Sequence, residues 1–457
     1  MKRMCQATLL ITIKSLLLSW LFLFSCSLTA QTKASAVNYN HIFKDNIQTV
    51  RLYANNLVLS NPIIELNSSA YLQLSFDDLD GDDKDYLYTI HLCDADWKPT
   101  QLAELEYING FNGERILDYE YSFNTRTQFT HYRLRIPNQN IRWTKAGNYL
   151  LRVFLDNENR DPVLVRRFMV VDPTVTVIPK PTRPANVIKL RTHQEFDIEI
   201  SHPGINIRNP QTELKVYVMQ NNQINGMKGS LKPMFIRREL LVYDYQDKVT
   251  FQAAKEFRFL DLRSFRYRTP KVEGIEIYDN GYEVYLHPEE KRAFRPYIFN
   301  IDINGRYVIE NLDRTAQIDR RLEAAQGVQF DNFDEADQLH NLEGDYANVN
   351  FAIDSPTELE NAKVYLFGAF TDWQLRPFAE MEYNEERRVY EGQLFLKQGY
   401  YNYLYAVVYD NKPGVINFSE MEGNWHEAEN EYTFLVYYRP FGTRYDRLIA
   451  TRTFSTR

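Results

Sequence analysis

Short runs in which apolar and polar residues alternate, broken by turn-forming residues, recur from about residue 38 to the end of the chain. Tyr71-Leu72-Gln73-Leu74-Ser75-Phe76 and Tyr86-Leu87-Tyr88-Thr89-Ile90 flank an acidic loop carrying Gly81, which predicts a hairpin with one buried face. Further strands are expected at 132–136, 149–155 and 163–171. The last two are joined by the polar turn Asp156-Asn157-Glu158-Asn159-Arg160-Asp161-Pro162. Strands this short and this regularly spaced make a β-sandwich.

Asp172-Pro173 and the stretch Pro179-Lys180-Pro181-Thr182-Arg183-Pro184 interrupt the alternation, because proline removes backbone donors that a central strand needs. A boundary is therefore expected near 173. A second alternating region covers 195–200, 214–218, 282–286 and 297–303. Ile318 and Leu322 then stand at helical spacing before Gly327, so a short helix or linker over 316–326 is expected to separate this unit from the last. An acidic stretch follows, and a third run of strands at 364–367, 389–396, 401–409 and 432–438. The expected fold class is all-β, tandem immunoglobulin-like or early-set β-sandwiches. The divisions are a signal peptide over 1–30, sandwiches over 38–173, 174–326 and 346–440, an acidic linker over 327–345, and a C-terminal tail over 441–457.

The N-terminus adds a compartment. Lys2, Arg3 and Lys14 precede the apolar run 16–24, and small residues near Ala30 follow it, the order of an export signal. The run is shorter than the roughly 20 apolar residues a membrane helix needs, and no transmembrane segment is expected downstream. Cleavage after Ala30 is the expectation. The alternative is lipid attachment at Cys26, within Leu23-Phe24-Ser25-Cys26, where Phe24 is bulky for a lipoprotein box.

Composition narrows the chemistry. Of three cysteines, Cys5 and Cys26 lie in the leader, so the exported chain keeps Cys93 alone and forms no internal disulfide. A net charge of −8 argues against nucleic acid, whose phosphates require clustered Lys and Arg. The 32 Tyr and 28 Phe suit pleated, half-buried positions and interface anchors.

Two clusters invite a metal, and neither is complete. Asp77-Asp78-Leu79-Asp80-Gly81-Asp82-Asp83 offers carboxylates for a hard cation. Aligning Gly81 with the glycine of an EF-hand loop puts Phe76 at the first ligand and Leu87 at the bidentate position, so a solvated hairpin tip is expected. His91 and Cys93 share one face of a strand, but a zinc site needs about four ligands, and no second pair accompanies them. A phosphate-binding glycine loop, a Gly-x-Ser-x-Gly elbow and a His-Glu-x-x-His motif are all lacking. The expectation is a non-enzymatic chain with no catalytic residue, no cofactor and no metal.

A resemblance sharpens the reading. Tyr88-Thr89-Ile90-His91-Leu92-Cys93-Asp94-Ala95-Asp96-Trp97-Lys98-Pro99, Glu106-Tyr107-Ile108-Asn109-Gly110-Phe111 and Ile116-Leu117-Asp118-Tyr119-Glu120-Tyr121-Ser122-Phe123-Asn124-Thr125 resemble the first domain of type IX secretion system plug proteins. Glu256-Phe257-Arg258, Asp302-Ile303-Asn304-Gly305, Glu422-Gly423-Asn424-Trp425, Tyr437-Tyr438-Arg439 and Arg444-Tyr445-Asp446-Arg447-Leu448 also look like that family. The resemblance implies a periplasmic protein, associated with the outer membrane, that seals the inner mouth of a large outer-membrane translocon barrel while no cargo moves. Trp97, Tyr107 and Phe111 are the aromatic anchors to weigh for partner binding, against core packing for each.

The third sandwich suggests an alternative. Val364-Tyr365-Leu366-Phe367-Gly368-Ala369-Phe370-Thr371-Asp372-Trp373 resembles a glycogen-binding or early-set module, in which Trp373 would stack on a sugar. Asp410-Asn411-Lys412-Pro413 stands where that family places a second tryptophan, which favours a scaffold role. A secreted-cargo reading fits the compartment, but the ending 451–457 lacks the lysine-bearing last strand of such sorting sandwiches.

Overall fold

The computed structural model describes residues 37–313 and 340–457. The expected leader, Cys26, the helix over 316–326 and most of the acidic linker lie outside the described residues. The regular secondary structure described is almost entirely strand, as the alternation predicted.

The first sandwich packs two sheets face to face. One runs His41–Ile42, Pro162–Val171, Gly147–Leu155, Tyr86–Cys93, Glu114–Ile116, with Ile63–Glu65 parallel to Pro162–Val171. The other runs Ile47–Ala54, Leu72–Asp78, Thr130–Ile136, Asp118–Tyr121. Period-two alternation sends Leu72, Leu74 and Phe76 inward, each with no exposed surface. Phe76 stacks on Tyr132 with ring centres 5.2 Å apart, and Tyr86 meets Tyr132 edge-on at 4.7 Å. Such aromatic pairs add about 0.5–1.5 kcal/mol each beyond the area they bury.

The second and third units are divided differently from the sequence expectation. In the second sandwich, one sheet carries Thr176–Thr182, His193–Ser201, Leu240–Tyr243 and Phe235–Ile236, with Thr250–Gln252 beside His193–Ser201. The facing sheet runs Lys228–Leu231, Leu214–Gln220, Glu431–Tyr438, Arg447–Ser455. Strand 432–438, expected in the third sandwich, thus pairs with Leu214–Gln220 in register from Leu214 opposite Tyr438 to Gln220 opposite Tyr432. The expected tail 441–457 instead supplies the edge strand of that sheet. Conversely, Gly281–Leu286, expected in the second sandwich, lies parallel to Tyr346–Asp354 in the third. The segment 297–303 forms no strand. Alternation tells a strand from a helix, but it does not say which sheet a strand joins.

The third unit is a single hydrogen-bonded path: Arg258–Asp261, Gly399–Tyr409, Ala362–Phe367, Glu380–Asn384, Val389–Lys397, Tyr346–Asp354, Gly281–Leu286, Val272–Tyr278, with Tyr307–Ile309 beside Gly399–Tyr409. Glu380–Asn384 pairs with one neighbour through Glu380 and Met381 and with the other through residues 382–384, so it carries the path from one layer to the other. The third sandwich is therefore an insertion in the second, entered after Gln252 and left before Glu431.

Candidate functional site

The sequence segments singled out above converge on the junctions between sandwiches. Cys93, Ala95 and Trp97 pack with Leu150, Val165 and Met169 of the first unit against Tyr217, Leu435, Tyr437 and Leu448 of the second. Polar groups close the same seam. The Ala95 amide donates to Asp446 Oδ2 at 2.9 Å, the Tyr217 hydroxyl to Asp96 Oδ1 at 2.7 Å and the Tyr437 hydroxyl to Asn148 Oδ1 at 2.7 Å. Asp446 also faces Lys215 at 3.2 Å and Arg439 at 2.8 Å. The connection itself is pinned, since the Asp172 and Thr174 amides donate to Leu448 and Ile449 carbonyls.

A buried polar cluster joins the first sandwich to the third. Asp77 receives the Lys397 ammonium, the Tyr346 hydroxyl (2.6 Å) and His131, whose Nδ1 lies 2.5 Å from Oδ1. Lys397 Nζ also sits 3.8 Å from the centre of the Phe129 ring. Burial pushes the Asp77 carboxyl up, but Lys397 and His131 outweigh it and hold the group at about 2. Asp345 caps the Arg126 and Thr127 amides from across the same junction.

Within the inserted unit, Glu422 takes Arg258 Nε at 3.0 Å, Arg292 Nε at 2.7 Å and the Tyr405 amide at 2.9 Å. Asp302 accepts the Phe257 and Asn304 amides. The Ala254 amide donates to Asn424 and the Trp425 amide to the Ala254 carbonyl. Every charged member has a structural partner.

The proposed anchors are divided by the fold. Trp97 is 3 % exposed beneath the Arg167 guanidinium, and Tyr107 is 4 % exposed in the first core, so neither offers a ring face to a partner. Phe111 is 77 % exposed and remains available. Trp373 is also inside, packed edge-on against Phe257 and Phe367 and directly over Gly305, where a Cβ would approach the ring to 2.2 Å. That burial removes the sugar-stacking platform. The loop beyond Trp373 docks on the first sandwich, with Arg166 3.4 Å from Asp372 and Gln374 donating to the Asn40 carbonyl.

Asp78, Asp80 and Asp82 do converge as carboxylates around a cation would require. The cation is the chain's own. Lys84 Nζ contacts all three, at 2.8 Å from Asp78 and 3.1 Å from Asp82. His91 Nε2 lies 3.0 Å from Thr89 Oγ1, and Cys93 is fully buried in the seam with its Sγ 3.8 Å from the His91 carbonyl.

Sequence reasoning overlooked Leu117, Tyr119, Tyr121 and Phe123. They alternate along the edge strand Asp118–Tyr121 and its extensions, on the face that carries Tyr132 into the core, yet they are 78 %, 37 %, 54 % and 62 % exposed. Their alternation reads as an ordinary half-buried strand. Only the extent of the opposing sheet reveals that they stay exposed among the described residues.

With the geometry in place, comparison with known proteins decides the relationship. The family model described as type 9 secretion system plug protein 1st domain matches residues 47–172, the span of the first sandwich. The chain belongs to the type IX secretion system plug family. A similar solved structure is that of a hypothetical protein from Parabacteroides merdae, with 30 % identity and a TM-score of 0.83 over 92 % of this chain and 99 % of that one. No curated protein matches. Plug-family membership gives the chain a role in type IX secretion, as a periplasmic or outer-membrane-associated component. No helix among the described residues is long and apolar enough to cross a membrane.

Proposed function

We propose that this chain is a non-enzymatic periplasmic plug that binds the inner mouth of the large outer-membrane translocon barrel and seals the pore while it is idle. The observation that carries the reading is the use of the plug-like segments as joints. The first sandwich is fastened to the second through Asp446 and to the third through Asp77, so the three units act as one body. A cover over a wide pore needs that property, because units free to swing would leave gaps for solutes. Sealing is then reversible protein binding, stronger to the idle translocon than to the cargo-engaged one, since cargo displaces the plug only through such a difference.

The test is deletion of residues 31–457 in cells that retain the barrel. Permeability to a large antibiotic such as vancomycin should rise, and should rise far less where the barrel is deleted too. A deletion strain that excludes vancomycin as well as its parent, with its barrel present and unblocked, overturns the proposal.

A further inference from the structure

Among the described residues, the strand Asp118–Tyr121 ends its sheet, with a neighbour on one side only. It pairs antiparallel with Thr130–Ile136, Asp118 opposite Arg133 and Glu120 opposite His131. The Ser122 amide continues that ladder by donating to the Phe129 carbonyl at 2.8 Å. Hydrogen-bonded and non-bonded positions alternate along an antiparallel pair. Asp118, Glu120 and Ser122 therefore point their backbone groups at the neighbour, and Tyr119 and Tyr121 point theirs outward. Just beyond, the Phe123 amide already donates outward to the Leu342 carbonyl at 3.0 Å, so the same edge accepts main chain from another part of the molecule.

Proteins usually protect such edges with proline, lysine, bulges or short strands. This one does so elsewhere. The edge strand Thr176–Thr182 contains Pro179, Lys180 and Pro181, Val272–Tyr278 is broken by a register shift between Val272 and Gly274, and Phe235–Ile236 has only two residues. Asp118–Tyr121, four residues long, carries no proline, no lysine and no register shift. Its charged side chains are turned to the opposite face, where Arg133 holds both Asp118 and Glu120. The free edge instead carries Leu117, Tyr119, Tyr121 and Phe123, which extend the core face past the rim of the opposing sheet.

We infer that this edge is a strand-addition site that takes an extended segment of the translocon protein to which the chain docks. The occupant is specified by what the edge offers: main-chain donors and acceptors for the outward groups of Tyr119 and Tyr121, apolar side chains at alternate positions to cover the aromatic stripe, and a basic flank toward Asp83, which lies within reach of the Tyr119 hydroxyl. Strand addition draws affinity from the main chain and specificity from the alternate side chains. This inference rests on the docking reading above.

Amide hydrogen exchange on the full exported chain, alone and bound to purified translocon, tests it. Tyr119 and Tyr121 amides should exchange freely in the isolated chain and become at least tenfold slower in the complex. Tyr121→Pro deletes an outward donor without touching the ladder, and should weaken binding at least tenfold with the unfolding midpoint unchanged. Binding that leaves both amides unprotected overturns strand addition and leaves docking intact. Absence of any binding overturns docking and strand addition together. Protection that appears with self-association of the chain alone assigns the edge to a second copy and also overturns the inference.

Discussion

Lys397 and Asp77 form an ion pair across the seam between the third and first sandwiches, with neither side chain exposed to solvent. Removing one member of such a pair strands the other in a medium that cannot solvate it, at a cost of about 3–5 kcal/mol, whereas replacing both by apolar groups is far less damaging. Lys397→Met should therefore lower the first calorimetric unfolding transition of the chain strongly, and Asp77→Leu combined with Lys397→Met should recover part of the loss. Equal midpoints for wild type and Lys397→Met would show that the seam does not depend on the pair.

Stability should fall in two acid windows. Burial, reinforced by Arg152, holds His91 at about 4, below the usual histidine value near 6.5; burial likewise lowers His131, against the pull of Asp77. Between these values the unfolded chain binds a proton that native His91 refuses, so stability present above pH 6.5 is lost as pH falls toward 4, by about 1.4 kcal/mol per unit for each such group. The contribution of Asp77 persists until pH drops below about 4 and disappears toward 2. Unfolding midpoints measured from pH 7.5 to 3 check both windows. His91→Gln should flatten the upper one, and a midpoint that rises on acidification contradicts the assignment.

Trp373 fills the space between Phe257, Phe367 and Gly305, so its loss should cost about 3–5 kcal/mol as a buried aromatic truncation. Gly305 has φ of +74° and no room for a Cβ, and Gly305→Ala should damage the same cluster. Differential scanning calorimetry should show both variants melting early, with wild-type retention on a glucan resin at background throughout. A stable Trp373→Ala protein that alone loses glucan retention would restore the carbohydrate reading.

Burial pushes the Cys93 thiol up to about 12, and thiolate is the reactive form. A protein of residues 31–457, whose sole thiol is Cys93, should resist a disulfide reagent such as DTNB while folded and react stoichiometrically in denaturant. Fast labelling of the native chain would place the seam between the first and second sandwiches in an open state.

Fold class was legible because a period of two in residues such as Leu72, Leu74 and Phe76 follows directly from the pleat. Which sheet a strand joins was not, since Tyr432–Tyr438 reads the same beside Tyr401 as beside Leu214. The functional residues divided similarly. Nothing in the sequence separated Phe111, which is exposed, from Trp97, Tyr107 and Trp373, which are buried, because an aromatic looks the same in sequence whether it faces water or a core. Tyr119 and Tyr121 went unnoticed because exposure at a sheet rim is set by the opposing layer, to which local sequence is blind.

The insertion of the third sandwich imposes an order of assembly. Gln220 and Tyr432, neighbours in one sheet, are separated by 212 residues, and contacts so distant must absorb a large loop-closure entropy before they contribute. As the chain emerges N-terminus first, Leu214–Gln220 has no inner neighbour until the final segment arrives. The inserted unit can collapse meanwhile and bring the two ends together. A chain truncated by its last thirty or so residues therefore lacks more than an end: it strands a half-built sheet with one long apolar face open, a substrate for periplasmic chaperones and proteases. Arrival of residues 431–455 is thus a checkpoint, and the seam around Asp446, which lies in that segment, cannot close on the first sandwich before they are made.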